Sequence, residues 1–257
     1  MSQIEWTNDT CNPLVGCSRV SPGCANCYAA TQAKSARLQQ FEQYQEIKDW
    51  DGTVQFVSSA LDKPRKRKKP TMYFVCSMSD LFHKNVLKSW QDYIFDVMES
   101  LPRHTFQLLT KRPERMRDYL SDRWRDCEPP SNIWLGTSVE NKSFKGRIDL
   151  LRQTPAAVKF LSCEPLLEDL GILDLTGIGW VIISGESGSG ARPCRVAWIE
   201  SLIEQYQRAG VPVFVKQLGK STDVPISDSK GGKIEEFPVS LQIRQFPVRE
   251  REVLKLF

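Results

Sequence analysis

The sequence predicts an α/β fold: a full or partial (β/α) barrel of parallel strands. Three observations carry this expectation. Apolar, β-branched runs recur along the chain as MYFVCS (72–77), FQLLTK (106–111), IWLGTSV (133–139), VKFLSCE (158–164), WVIISGE (180–186) and VPVFVKQ (211–217). They are near-continuous, as strands buried on both faces are, and such strands are typically parallel. Helical patterns separate them, and repeated strand–helix units with right-handed crossovers build α/β sheets. No Gly-x-Gly-x-x-Gly follows the first strand, which favours a barrel over an open dinucleotide-binding sheet.

In chain order, Ile4–Thr7 is a candidate for a short additional strand. A turn-rich, cysteine-bearing loop follows, and then a helix from Tyr28 to about Gln43. Residues 40–71 are polar and form an insertion that ends in KPRKRKK, with six positive charges between Lys63 and Lys69. Helices are expected at about 87–101, 112–121, 142–153 and 196–209. Pro113 suits a first helical turn. Val196, Ile199, Leu202, Ile203 and Tyr206 form one apolar stripe, and Gly210 follows as a C-cap. The stretch 219–237 is rich in Gly, Ser, Asp and Lys and is expected to form loops. Beyond it Phe237, Val239, Leu241, Ile243, Phe246 and Val248 recur near period two, as in a C-terminal strand or extended clasp. The expectation is one barrel domain, 1–257, with a basic insertion at about 40–71 and a C-terminal extension at about 219–257.

The 257 residues suit such a barrel. Hydrophobic residues make up 40% and charged residues 26%, as in an ordinary globular protein. No run of about 18 apolar residues occurs, so no membrane span is expected. The start, MSQIEWTNDT, lacks the pattern of a signal peptide, and a cytoplasmic protein is the expectation. The net charge of +4 does not by itself imply nucleic acid. The run from Lys63 to Lys69 is the candidate for nucleic acid or a protein partner.

In a reducing compartment the eight cysteines are not expected to form structural disulfides. Cys76, Cys127, Cys163 and Cys194 are scattered, as small core residues are. Cys17, Cys24 and Cys27 share a loop in which Gly16, Pro22 and Gly23 let the backbone fold back. Three thiolates on a four-iron cluster leave one iron open, able to chelate the amino and carboxylate groups of S-adenosylmethionine (SAM). Thiolates suit iron–sulfur clusters and zinc alike. A structural zinc site takes four ligands, with Cys11 as the candidate fourth. Reduced cysteines without metal are the third reading.

Working residues of parallel barrels sit at the C-terminal ends of strands. Here those ends are polar: 77–80 (SMSD), 110–112 (TKR), 138–141 (SVEN), 162–165 (SCEP), 185–188 (GESG) and 216–217 (KQ). Singly these are helix caps and surface ion pairs; together they line a polar cavity. The candidate cofactor-binding residues are Ser79, Asp80, Ser138, Glu140, Glu164, Gly185, Glu186 and Lys216. Ser138, Glu140, Glu164 and Glu186 suit ribose hydroxyls and an ammonium group. Lys111 and Lys216 suit a carboxylate or phosphate. The glycines of 185–190 allow close backbone approach, and Arg192 suits an anion. A lone histidine such as His83 is more often structural than catalytic.

These residues resemble a phage-associated, three-cysteine-motif family of unknown function. That family is itself similar to radical SAM enzymes such as spore photoproduct lyase. The resemblance spans nearly the whole chain: IEWT (4–7), NP (12–13), GC (16–17), SPGC (21–24), CY (27–28), SMSDLFH (77–83), LTKRP (109–113), GTSVE (136–140), CEPL (163–166), GESG (185–188), ARP (191–193) and FVKQLG (214–219). It implies a radical-SAM-like barrel with a [4Fe–4S] cluster on Cys17, Cys24 and Cys27, and SAM as cosubstrate. The common radical SAM spacing, Cys-x3-Cys-x2-Cys, is three residues shorter in its first gap. Cys11 stands where relatives often carry tryptophan, which argues against zinc. The leading expectation is a radical SAM enzyme modifying an unknown substrate, with nucleic acid favoured by the basic run and the family's phage association. One alternative is a non-enzymatic zinc or iron–sulfur adaptor for nucleic acid or protein. Another is a barrel enzyme using Glu140, Glu164, Glu186 and Lys216 as acid–base groups.

Overall fold

The computed structural model describes residues 4–247. Val248, placed by sequence in the C-terminal clasp, lies outside the described residues, as does the rest of 248–257. The strands are β1 (Asp9–Cys11), β2 (Leu14–Val15), β3 (Gln55–Phe56), β4 (Met72–Val75), β5 (Thr105–Thr110), β6 (Ile133–Ser138), β7 (Val158–Cys163), β8 (Trp180–Ser184) and β9 (Val213–Gln217). The helices are α1 (Tyr28–Ala33), α2 (Glu42–Gln45), α3 (Asp62–Lys66), α4 (Lys88–Glu99), α5 (Pro113–Arg123), α6 (Gly146–Gln153) and α7 (Val196–Arg208). Seven strands pair in parallel in the order β1-β4-β5-β6-β7-β8-β9. Because this follows chain order, right-handed crossovers place the helices on one face and the sheet curls about the other. It is open between β1 and β9: a partial barrel.

Side chains alternate between the two faces, as strand geometry requires. Tyr73, Val75, Leu135, Leu161 and Val181 turn outward and join the large core with Ile94, Met116, Ile148 and Leu202 of the helices. Phe74, Trp134, Phe160, Trp180 and Phe214 turn inward and cluster with Trp6. Trp6 lies 4.6 Å from Phe74 and 6.3 Å from Trp180, ring centre to ring centre. This aromatic plug fills the inside of the barrel toward the N-terminal ends of the strands. The interior toward their C-terminal ends is left to polar side chains. Gly136 makes room in the plug, since a Cβ there would sit 2.5 Å from the Phe160 ring.

The six predicted strands are all present within one or two residues of their expected ends. Four differences have physical reasons. Ile4–Thr7 is not a strand: the Thr7 N–H turns back to the Ile4 carbonyl while Trp6 enters the plug, and pairing with β4 starts at Asp9. The helix expected from Tyr28 to Gln43 stops at Ala33. Ser35 Oγ accepts the Leu38 N–H, and Gln39 Nε2 donates to the Ala33 and Tyr44 carbonyls at 2.7 and 2.8 Å. That turn brings Leu38, Tyr44 and Ile47 onto Ala29 and Ala33. The 142–153 helix opens as a 3-10 turn, Lys142–Phe144, with Asn141 Oδ1 accepting the Ser143 N–H. The tail is a clasp rather than a regular strand: Val215 N–H donates to the Ile243 carbonyl and Gln245 N–H to Val213, each at 2.8 Å, along the free edge of β9.

Candidate active site

The loop 17–27 lies over the C-terminal mouth of the partial barrel. Between loop and strand ends is a cavity of about 270 Å³. Its walls include Cys17, Cys24 and Cys27 on the loop side. Lys111, Ser138, Ser162, Glu164, Gly185, Glu186 and Lys216 line the strand side, with Trp6, Phe74 and Leu109 toward the plug. Ser79 and Asp80 also line it, so all eight candidate cofactor-binding residues except Glu140 border the cavity directly. Glu140 sits just beneath the loop and is 0% exposed.

The strand-end charges are already engaged. Glu140 Oε2 accepts from Arg147 at 2.8 Å, Lys111 Nζ lies 3.5 Å from Oε1, and Ser21 Oγ donates to Oε1. Asp80 accepts from Thr110 Oγ1 at 2.8 Å, from Arg112 at 2.8 Å and from the Phe82 and Lys111 backbone. Glu186 accepts from the Arg192 guanidinium and backbone N–H and from Asn26 Nδ2; these bonds hold its carboxyl below the usual range despite burial. Glu164 pairs with Lys216. Ser79 Oγ donates to the Leu14 carbonyl at 2.9 Å. Ser162 Oγ is fully buried in the cavity wall without a hydrogen-bond partner among the described residues. A Cβ on Gly185 would overlap the Leu218 carbonyl, so its close approach serves the β8–β9 junction as well as the cavity.

All eight cysteines are free. Burial, with the Asp80 charge adding to it, pushes the Cys17 thiol up to about 12, against the pull of Arg112 Nη1 at 3.6 Å. Cys11 does not join the loop cysteines: it is buried in the outward core, with Sγ 3.5 Å from the Ala60 carbonyl. Cys163 and Cys194 are buried core residues, as expected, but Cys127 is exposed. Cys76, read as core from the sequence, is buried yet borders the cavity at a positive φ of 61°. Nothing in its spacing separated it from the other scattered cysteines. His83 is structural: its Nδ1 accepts the Asn85 N–H and its Nε2 lies 2.7 Å from Ser18 Oγ.

Among the described residues, no three His, Cys, Asp or Glu side chains converge as a cage for a single metal ion. A cluster asks for something different, because it spreads its thiolates over separate irons. Three free thiols on the loop wall of the cavity, Cys17, Cys24 and Cys27, fit that donor pattern; the fourth free thiol bordering the cavity, Cys76, lies just past β4 and outside the loop. No helix among the described residues is long and apolar enough to cross a membrane.

Fold and site together define a partial parallel barrel with a thiol-lined cavity at its strand ends. The chain belongs to the family described as protein of unknown function (DUF5131), whose model matches residues 1–239. That span includes every motif of the resemblance set out above. Solved structures similar to the chain include spore photoproduct lyase complexed with dinucleoside spore photoproduct (TM-score 0.42) and two mutants of spore photoproduct lyase (0.41 and 0.43). Each is 11% identical, covering 96% of this chain and 70% of the other. No curated protein matches the chain.

Proposed function

We propose that the chain holds a [4Fe–4S] cluster on Cys17, Cys24 and Cys27 and uses it to cleave SAM, modifying a substrate at the mouth of the barrel. The observation that carries this reading is the cavity itself: three free thiols face polar strand ends over an aromatic floor. Its volume is near the lower end of small-ligand pockets, about 300 Å³. When bound, the cluster supplies one electron and an open iron position for amino and carboxylate groups.

The chain's own residues do the rest. Ser138 and Ser162 are neighbours across β6 and β7 and present hydroxyls to the cavity. The unpartnered Ser162 Oγ awaits a polar atom of a ligand, since buried hydroxyls rarely stay unpaired. The Glu164–Lys216 pair offers one group of each sign at the strand ends. The Trp6–Phe74 floor excludes water from below. Asp80, Ser79 and Gly185 shape the wall. Nucleic acid is the proposed substrate class. Lys68 and Lys69 support it, being exposed and making no ion pair among the described residues.

Anaerobic reconstitution with iron and sulfide tests the reading. The expected result is a brown protein whose visible absorbance disappears in Cys24→Ala. Reductive release of 5′-deoxyadenosine from SAM is the second expected result. Colourless protein holding stoichiometric zinc overturns the cluster. A cluster that never cleaves SAM leaves the non-enzymatic adaptor in its place.

A further inference from the structure

We infer that the six residues between Cys17 and Cys24 form a docking segment. Arg112, Glu140 and Glu186 act as positioning residues that clamp it onto the barrel before any metal arrives. The gap is longer than a tight thiolate loop requires, and four of its six residues, Ser18, Ser21, Pro22 and Gly23, meet groups at or just beyond the strand ends, while Arg19 and Val20 are exposed.

The contacts run in order along the segment. Ser18 meets the end of β5: its carbonyl accepts Arg112 Nη2 at 2.9 Å and its Oγ lies 3.3 Å from the same nitrogen. Ser21 meets the end of β6 through Glu140. The Pro22 carbonyl accepts Arg192 Nη1 at 2.9 Å, and Arg192 is fixed by Glu186 beyond β8. Gly23 lies flat on Glu140, where a Cβ would sit 2.5 Å from the carboxylate. Past Cys24, Asn26 Nδ2 donates to Glu186 Oε2 and to the Gly190 carbonyl, each at 3.0 Å.

The clamps are rigid because each is held from behind. Arg147 and Lys111 fix Glu140, Asp80 fixes Arg112, and Arg192 fixes Glu186. A carboxylate that accepts several charged donors has little freedom left for a mobile ligand. Glu140 and Glu186 therefore act on the loop rather than on a cofactor. The use of the clamp rests on the thiols serving as ligands; its existence does not, and it is tested without metal.

The test is amide hydrogen exchange, read by mass spectrometry on the full, metal-free, reduced chain. The Cys24 N–H donates to the Ser21 carbonyl at 2.9 Å and the Ala25 N–H to Pro22 at 3.1 Å, so an intact loop protects both. Ser21→Ala removes one hydrogen bond to a charged group, and exchange across 17–28 is expected to rise roughly tenfold. Peptides covering β6 and β7 are expected to keep wild-type exchange. Ser21→Thr keeps the hydroxyl and is expected to restore protection. Glu140→Gln is expected to act in the same direction. If it unfolds the chain outright, β6 and β7 exchange as well, and Ser21→Ala then decides. Unchanged exchange across 17–28 in Ser21→Ala overturns the inference, whatever becomes of the cluster.

Discussion

Burial of His83, reinforced by the neighbouring Arg112, pushes its imidazole down to about 4 from an ordinary 6.5. With Asn85 N–H donating to Nδ1, the proton sits on Nε2 and donates to Ser18 Oγ. The unfolded chain takes up a proton below 6.5 that the folded chain refuses until about 4. This contribution to stability is therefore complete above pH 6.5 and is lost as pH falls toward 4. The loss amounts to about 3 kcal/mol. Urea unfolding at pH 7 and pH 4 is expected to show wild type losing about that much more than His83→Gln; an equal loss in both refutes the assignment. Gly136→Ala forces a methyl group into the Phe160 ring and is expected to cost about 1–3 kcal/mol, read from the same unfolding curves. At this scale the thiols were legible because their chemistry is local in sequence. What Glu140 and Glu186 hold was not. Their loop partners, Ser21 and Asn26, stand 119 and 160 residues away, and no local pattern carries such a contact.

The strands were readable because burial on both faces writes itself into the chain as apolar runs. Their ends drifted by a residue or two where polar side chains leave the ladder, as at Lys111 and Glu164. The early stop of α1 was not readable, because YAATQAKSARLQQFEQ has ordinary helical composition. Side-chain bonds from Ser35 and Gln39 override it. The clasp was half readable: its period-two pattern promised extended chain, but only tertiary structure names β9 as the edge it covers. There the Gln245 carbonyl accepts Trp180 Nε1 at 2.9 Å, and Phe246 stacks on the Trp180 ring with centroids 5.4 Å apart. Ending the chain after Gln242 uncovers that edge and leaves the indole N–H of Trp180 without this partner. The expected outcome is a loss of about 2–4 kcal/mol in urea unfolding. Concentration-dependent self-association in size-exclusion chromatography is also expected, since a bare edge strand invites pairing.

Across the whole molecule, the basic run and the cavity stand at opposite ends of the sheet. The run leads through Pro70 into the start of β4, and it is tied to other strand starts. Lys63 pairs with Asp9 at the start of β1 at 2.7 Å. Arg103, just before β5, donates to the Pro64, Arg65 and Arg67 carbonyls. The thiols and polar rim sit beyond the other ends of these same strands, with the aromatic plug between. Under the proposed function, a nucleic acid held by the run would have to reach around the barrel to meet the cavity, so binding and chemistry would use separable surfaces. Replacing Lys66, Lys68 and Lys69 together with serine is expected to weaken binding of a duplex oligonucleotide. The slope of log affinity against log salt should fall by about 0.9 for each lysine that meets a phosphate. Cleavage of SAM by the reconstituted protein, assayed without nucleic acid, is expected to stay at wild-type rate, because none of the three lysines borders the cavity. Affinity and salt slope that match wild type would remove the run as a nucleic-acid surface. A loss of SAM cleavage in the same variant would contradict the separation of the two ends.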